Sequence, residues 1–374
     1  MDCDFVVIGA GMAGLSAAAE LAAHGSVIVL EQEDQPAYHS TGRSAALFTL
    51  AYGNGVIRKL AACSRPFLDA PPQGFSDQPL LNKRHLLMVA SSDQREAFDE
   101  ALAESRDAGA EIRELDPKEA TERVPVLRRE AVERAFLSTE TRDIDVHALQ
   151  TGYVRLLRER GGRLACGEEV KALERANGGW AVRSQKNTIR APVVVNAAGS
   201  WADVVAEMAG VQPVGLVPKR RTAILFDPPS ELPTDTWPMV VAADESWYFK
   251  PDAGKILASP ADETPSPPCD AQPEELDVAI CVDRLERATR FDVRQITHRW
   301  AGLRTFATDK SPVCGFEAGT EGFFWLAGQG GYGIKTSPAL AAVATALIVS
   351  GKLPEPVENK GVLEGDLAPG RLRS

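Results

Sequence analysis

Gly9, Gly11 and Gly14 stand in the spacing Gly-x-Gly-x-x-Gly, and Glu31 closes the next apolar run. Residues of these types can hold a dinucleotide. Gly9 permits the tight turn, Gly11 lets the backbone approach a pyrophosphate, and Gly14 lets a helix pack closely on a strand. The phosphates would meet the free N–H groups and the positive end of the helix dipole. An acid at the position of Glu31 receives ribose hydroxyls. A glycine turn without a ligand has the same spelling. The flanking apolar runs Phe5–Ile8 and Val27–Leu30, with a helical stretch from Leu15 between them, favour binding.

Two further turns point the same way. Pro192-Val193-Val194-Val195 runs into Asn196-Ala197-Ala198-Gly199, and Gly322–Leu326 runs into the dense glycines of Gly328–Gly333. A helix follows the second, from about Ser337 through Ile348. Its N-terminal partial charge would stabilise electrons arriving on a flavin as a reduced anion. A nicotinamide site has no such need, so the reading moves to flavin. The loop His39–Leu47 carries Ser40, Thr41, Arg43 and Ser44. Those residues either cap the next helix or extend the pyrophosphate site toward the reactive ring, and both readings stay open. Arg221 and Arg304 enter apparent strands beside this site. Surface ion pairing is the default for any arginine, but a guanidinium also offers a planar fork to a substrate carboxylate.

With these motifs in place, the chain resembles the glycine oxidase/D-amino acid oxidase superfamily of FAD enzymes. The shared stretches are Tyr38–Ala46, Ala51-Tyr52-Gly53, Val124–Arg129, Val195–Gly199, Pro218–Arg221, Trp300–Arg304 and Gln329–Ile334. Within the superfamily, the chain is most similar to the bacterial FAD-dependent D-arginine dehydrogenases, over essentially its whole length. The resemblance implies non-covalent FAD held by Gly9, Gly11, Ala13, Gly14, Glu31, Gln32, Ser40, Thr41, Arg43, Ser44, Ala45, Val170, Ala198, Gly199, Trp201, Gly302, Gly330, Gly331, Tyr332, Gly333 and Ile334. It implies that Arg221 and Arg304 bind the substrate carboxylate and that Tyr52 and Tyr248 hydrogen-bond the substrate and close the pocket. Leu47, Leu86, Gly331 and Ile334 would line the substrate site.

The implied reaction is oxidation of a D-amino acid, with hydride passing from Cα to flavin N5. The imino acid then hydrolyses to a 2-oxo acid and ammonia. No side-chain base is needed if the amine binds neutral. Two positions depart from the D-arginine dehydrogenase pattern: Leu86 replaces its guanidinium-binding glutamate, and Leu47 replaces its pocket histidine. Neutral, apolar D-amino acids are therefore expected over D-arginine, unless Asp244 or Glu245 takes over the missing charge. The electron acceptor is a quinone, another carrier or O₂. An oxidase, a 2-hydroxy acid or secondary-amine oxidoreductase, and a flavin-binding subunit without turnover are the competing readings.

The elements that position these residues read as α/β: a Rossmann-like FAD-binding domain with a discontinuous α+β substrate-binding domain built on an antiparallel sheet. Residues 1–75, 145–215 and 300–374 are assigned to the first, and 76–144 and 216–299 to the second. Ala45–Leu68 is expected to be helical, as are 92–109, 116–123 with Asp116 as N-cap, 145–160 and 274–289. Strands are expected at 84–90, 163–166, 168–173, 222–226, 239–242 and 246–250, with a hairpin joining 180–183 to 188–191.

Composition sets the outer bounds. A chain of 374 residues can bury a large core and suits two domains. A net charge of −11 argues against a nucleic-acid partner. The six cysteines are scattered without metal-ligand spacing, so no metal is expected and a reducing compartment is. With no charged leader before the first strand and no apolar helix expected to reach bilayer length, the location is expected to be cytoplasmic, or peripheral at the inner face of the membrane.

Overall fold

The computed structural model describes residues 1–176 and 178–373. Its first sheet is built on Phe5–Ile8, paired in parallel with Val27–Leu30 on one side and Val193–Asn196 on the other. Phe323–Ala327 and Arg163–Ala165 extend it in parallel, and Val313–Phe316 closes one edge antiparallel. The runs FVVI, VIVL and FFWLA are apolar without alternation. That is the signature of a sheet covered on both faces. One face buries Val7, Val29, Val195 and Phe324 against helices Met12–Leu21, Gly55–Asp69, Val146–Glu159 and Gly333–Ser350. The other buries Val6, Ile8, Val194 and Trp325 against a three-stranded antiparallel sheet (170–191) and helix Ala202–Met208.

A nine-stranded sheet forms the second body. Val217–Phe226 pairs along its length with Ile296–Phe306, from Val217↔Phe306 to Phe226↔Ile296. Lys255–Ser259, Tyr248–Asp252, Met239–Ala242, Leu86–Ala90, Arg134–Ser138 and Ile112–Leu115 continue it. Helix Glu275–Ala288 covers one face, with Val278, Cys281 and Leu285 in its core. Helix Arg95–Asp107 covers the far end of the other face. What remains of that face looks onto the first sheet's cleft.

The second sheet is antiparallel except that Met239–Ala242 runs parallel to Leu86–Ala90. These strands come from distant segments, so no tight hairpin obliges them to oppose each other. Ala45–Leu68 is not one helix. Leu47–Phe48 is a short strand, Gly53 turns with φ +104°, and the helix starts at Gly55 under an Asn54 cap that accepts from Ile57 N–H at 3.0 Å. Ser40, Thr41 and Ser44 therefore cap no helix there. The last helix begins at Gly333, not Ser337, and reaches 18 residues. By length and composition it could cross a membrane. Here it is a core helix, with Leu340, Val343 and Leu347 buried among the side chains of Met12–Leu21 and Gly55–Asp69.

The division drawn at residue 300 falls inside strand Ile296–Phe306. The strand begins in the second sheet's outer region and delivers Gly302–Thr305 to the cleft. A small sheet of Leu47–Phe48, Arg142–Ile144 and Leu81–Lys83 also joins segments assigned to both bodies. All six cysteines are free thiols.

Candidate active site

The cleft opens at the C-terminal ends of the parallel strands, where a doubly wound sheet presents its turns. Gly9 takes φ +101°, and a Cβ there would stand 2.5 Å from the Ala197 carbonyl oxygen. The first two glycine turns thus pack on each other. A Cβ on Gly14 would stand 1.9 Å from the Gly9 carbonyl oxygen. Gly14 accordingly packs helix on strand and forms no part of the cleft wall.

Helix Met12–Leu21 starts at a glycine cap with no side chain of its own. Thr41 Oγ1 accepts from Met12 N–H at 3.0 Å and ties the hydroxyl-rich loop to this end. Glu31 is only 8% exposed and accepts from Ala10 N–H at 2.6 Å and Glu33 N–H at 3.1 Å. Burial pushes its carboxyl above the usual range, and those two bonds pull it back. An ionised carboxylate has about four acceptor sites, so capacity remains for ribose hydroxyls. Gln32, Val170, Ala198, Gly199 and Trp201 complete this end. His39 packs on Trp201 with ring centroids 4.8 Å apart and lies 2.9 Å from Glu33.

Arg43 lines the cleft, but its guanidinium is engaged elsewhere. Nη1 donates to the carbonyls of Ala271 and Ala301, at 3.0 and 2.9 Å, and Nη2 pairs with Asp270. Ser40 Oγ donates to Leu303 O at 2.5 Å. Trp300 Nε1 donates to Arg43 O at 3.0 Å. The loop 40–45 is thereby fastened to strand Ile296–Phe306, with Ser44, Ala45 and Gly302 on the wall. Arg43 shapes the pyrophosphate region more than it offers it a free fork.

At the other end the wall holds Arg221, Tyr248, Arg304, Gly330, Gly331, Gly333 and Ile334. The two arginines differ. Arg221 Nε donates to Asp262 O at 2.9 Å, and Nη2 lies 3.3 Å from Glu263. Arg304 Nη1 is buried and has no hydrogen-bond partner among the described residues. Gly331 explains how that guanidinium fits: a Cβ there would stand 2.9 Å from Nη1. Tyr52 lies behind the wall, its ring 5.1 Å from that of Tyr332 and its hydroxyl against Arg304. Burial raises the Tyr52 phenol. Glu245, at φ 55°, has its carboxyl within electrostatic reach of Arg221 and Arg304. Desolvation lifts that carboxyl above its usual range, and the arginines oppose the lift.

Three expected residues stand off the cleft wall besides Gly14 and Tyr52. Tyr332 caps the last helix from behind. Leu47 clusters with Met239, Tyr248 and Leu257 beside the mouth. Leu86 clusters with Phe98 and Leu102 under the outer helix, and strand Met239–Ala242 separates it from Tyr248. The sequence reading missed Met12, Val205, Met208, Thr305 and Gln329, all on the wall. Val205 and Met208 sit one helical turn apart just after Trp201, which is the signal that could have found them. Gln329 Nε2 is buried without a protein partner. With Arg304 Nη1, it makes two buried donors beside the glycine-dense turn that are unpaired among the described residues.

These residues fit FAD: a Cβ-free cradle, a helix end begun by a glycine, a buried ribose-side acid, and a second helix N-terminus beside unpaired donors. Comparison with known proteins agrees. The family model described as FAD dependent oxidoreductase (DAO) matches residues 4–347. The chain is 22% identical to FAD-dependent oxidoreductase domain-containing protein 1 of Bos taurus, covering 93% of this chain and 81% of that protein. It is 25% identical to glycine oxidase of Pseudomonas aeruginosa, covering 93% and 95%. Its fold superposes on the crystal structure of L-proline dehydrogenase from P. horikoshii with a TM-score of 0.82 at 22% identity, covering 100% of this chain and 98% of that one.

Proposed function

Because the chain belongs to the DAO family of FAD-dependent oxidoreductases, we propose that it oxidises the Cα–N bond of small amino acids, preferring neutral apolar D-amino acids to D-arginine. The observation that carries this reading is Arg304 Nη1, a buried cationic donor without a partner on the wall of a dinucleotide cleft. Leaving such a group unpaired is costly, and a substrate carboxylate satisfies it. FAD, when bound, supplies the two-electron acceptor.

The protein's part is binding and orientation. Arg304 and Arg221 hold the carboxylate, and Tyr248 and Tyr52 fix the substrate from the sheet side and from behind Arg304. An amine bound neutral needs no side-chain base. Released imino acid hydrolyses in water to a 2-oxo acid and ammonia. The D configuration rests on the sequence resemblance, and reduced enzyme then passes electrons to a quinone, another carrier or O₂.

The side-chain preference rests on the apolar cluster of Leu47, Met239, Tyr248 and Leu257. Lys250, buried on the strand of Tyr248, is paired with Asp143 at 2.9 Å and takes no part in recognition. Leu86 acts only through Met239, its register partner. An apolar side chain against this cluster gains about 25 cal/mol per Å² removed from water. A guanidinium there loses several kcal/mol for want of a partner.

Anaerobic mixing with a panel of D- and L-amino acids, followed by flavin absorbance, tests the reading. D-leucine, D-methionine or D-phenylalanine should bleach the flavin with kcat/KM about a hundredfold above D-arginine, the ratio that roughly 3 kcal/mol of unpaired charge produces. A preference for D-arginine removes the pocket assignment. Bleaching by a secondary amine or a 2-hydroxy acid alone moves the chain to another substrate class on this scaffold.

The cofactor is held without a covalent bond in this reading. His39, a nucleophile near the cleft, is engaged with Glu33 and Trp201. Denaturing the yellow protein and filtering it should release all the FAD; colour retained by the denatured chain would contradict this.

A further inference from the structure

The turn Thr49–Tyr52 leads directly to the Tyr52 ring. It is gripped from two sides by opposite buried charges. Lys335 Nζ donates to Thr49 O at 2.9 Å and to Tyr52 O at 2.6 Å. Glu140 Oε1 accepts from Thr49 Oγ1 and from Leu50 N–H, both at 3.3 Å, and from Ser138 Oγ at 2.9 Å. Thr49 Oγ1 in turn accepts from Ala51 N–H at 3.1 Å. Lys335 is 3% exposed and Glu140 8%.

Lys335 stands where a cation is least welcome. It is buried, and it lies in the first turn of helix Gly333–Ser350, the positive end of the dipole. Burial pulls its ammonium down to about 7; Glu140 opposes the fall, and Arg58 of helix Gly55–Asp69 adds to it. The rings of Tyr52 and Tyr332, 5.6 and 5.5 Å away, give partial compensation. An apolar pair would fill this space at lower cost. The two charges are accounted for by the four backbone and hydroxyl groups of the turn that they hold.

We propose that Glu140 and Lys335 form a buried clamp that fixes the Thr49–Tyr52 turn and so positions Tyr52 against Arg304 from behind the cleft wall. This rests on the reading of Arg304 as the residue that binds the substrate carboxylate. Both are positioning residues, acting through the turn.

The test uses the FAD-loaded protein and two variants, Lys335→Met and the double Lys335→Met/Glu140→Gln. The double variant strands no carboxylate at this place, so it should fold even if the single one does not. Hydrogen exchange is measured on amides of Leu50, Ala51 and Tyr52 without substrate. Both variants should exchange there at least about tenfold faster, with amides of Met12–Leu21 unchanged, as for a local opening. With whichever amino acid reduces the flavin, the limiting reduction rate should fall about tenfold or more, because small misplacement of a binding group is costly in rate. FAD content should stay at the wild-type level. Wild-type exchange of the turn in the double variant overturns the clamp. Faster exchange with an unchanged reduction rate overturns the positioning of Tyr52. The exchange measurement needs no substrate, so it stands even if no amino acid bleaches the flavin and the functional reading fails.

Discussion

Arg304→Met should lower kcat/KM by about 30- to 5,000-fold, the range expected when one partner of a buried charge pair is removed at roughly 2–5 kcal/mol. Arg221→Met should cost about tenfold less by the same measure. The difference comes from what each guanidinium already holds. Arg221 has Asp262 O at 2.9 Å and Glu263 at 3.3 Å, so a substrate must share it. Arg304 Nη1 has no hydrogen bond among the described residues to give up. Methionine matches the arginine stem in bulk, and the partners the substitutions free, Asp262 O, Glu263 and the Tyr52 hydroxyl, stand off the cleft wall, so FAD content should stay near wild type in both. Steady-state kinetics with the best amino acid and a flavin-to-protein ratio decide the matter. Equal losses in the two variants would refute the asymmetry, and wild-type kinetics in both would remove the carboxylate site.

The second large effect is on the cofactor cradle. Gly14→Ala should abolish FAD retention and lower the melting temperature of what protein folds. The added Cβ would stand 1.9 Å from the Gly9 carbonyl oxygen and 3.3 Å from Ala197 Cβ. The first obstacle is backbone, which cannot swing aside like a side chain. Overpacking of this kind costs roughly 1–3 kcal/mol or more. Relief requires moving helix Met12–Leu21 away from strand Phe5–Ile8, which carries the phosphate-facing N–H groups with it. Gly55→Ala is the control: nothing lies within 4 Å of its Cβ position, and its stability should stay within about 0.5 kcal/mol of wild type. A yellow, fully stable Gly14→Ala protein would show that the helix end is not the cradle.

The dinucleotide half was legible in the chain because its parts are neighbours in sequence. Gly9, Gly11, Gly14 and Glu31 lie within one strand–helix–strand unit. There, backbone sterics and the period of the apolar residues already dictate the geometry. The continuous apolar runs likewise announce a sheet buried on both faces, and Asp116 announces its helix by a capping box that the structure contains. Local rules failed where local rules are weak. Residues 45–54 have helical composition, yet Gly53 and the Asn54 cap restart the chain, and pairing of Leu47–Phe48 with Arg142–Asp143 draws the preceding residues into a sheet. The last helix begins four residues before its expected start because tertiary packing outweighs the poor helix propensity of Gly333.

By itself, then, the sequence determined the cofactor class, the parallel sheet and the identity of the arginines worth testing. How those arginines differ depends on remote contacts: Arg221 meets Asp262 and Glu263 from a distant loop, while Arg304 is buried with its Nη1 unpaired among the described residues. Only the tertiary structure decided that Arg43 serves the Asp270 loop, that Leu86 lies behind strand Met239–Ala242, and that Lys335 and Glu140 close on one turn from positions far apart in the chain. The physical reason is the range of the interactions. Turn sterics and helix or strand periodicity act over a few residues and are written in neighbouring letters. Burial, desolvation and the pairing of charges depend on which remote segments the fold brings together.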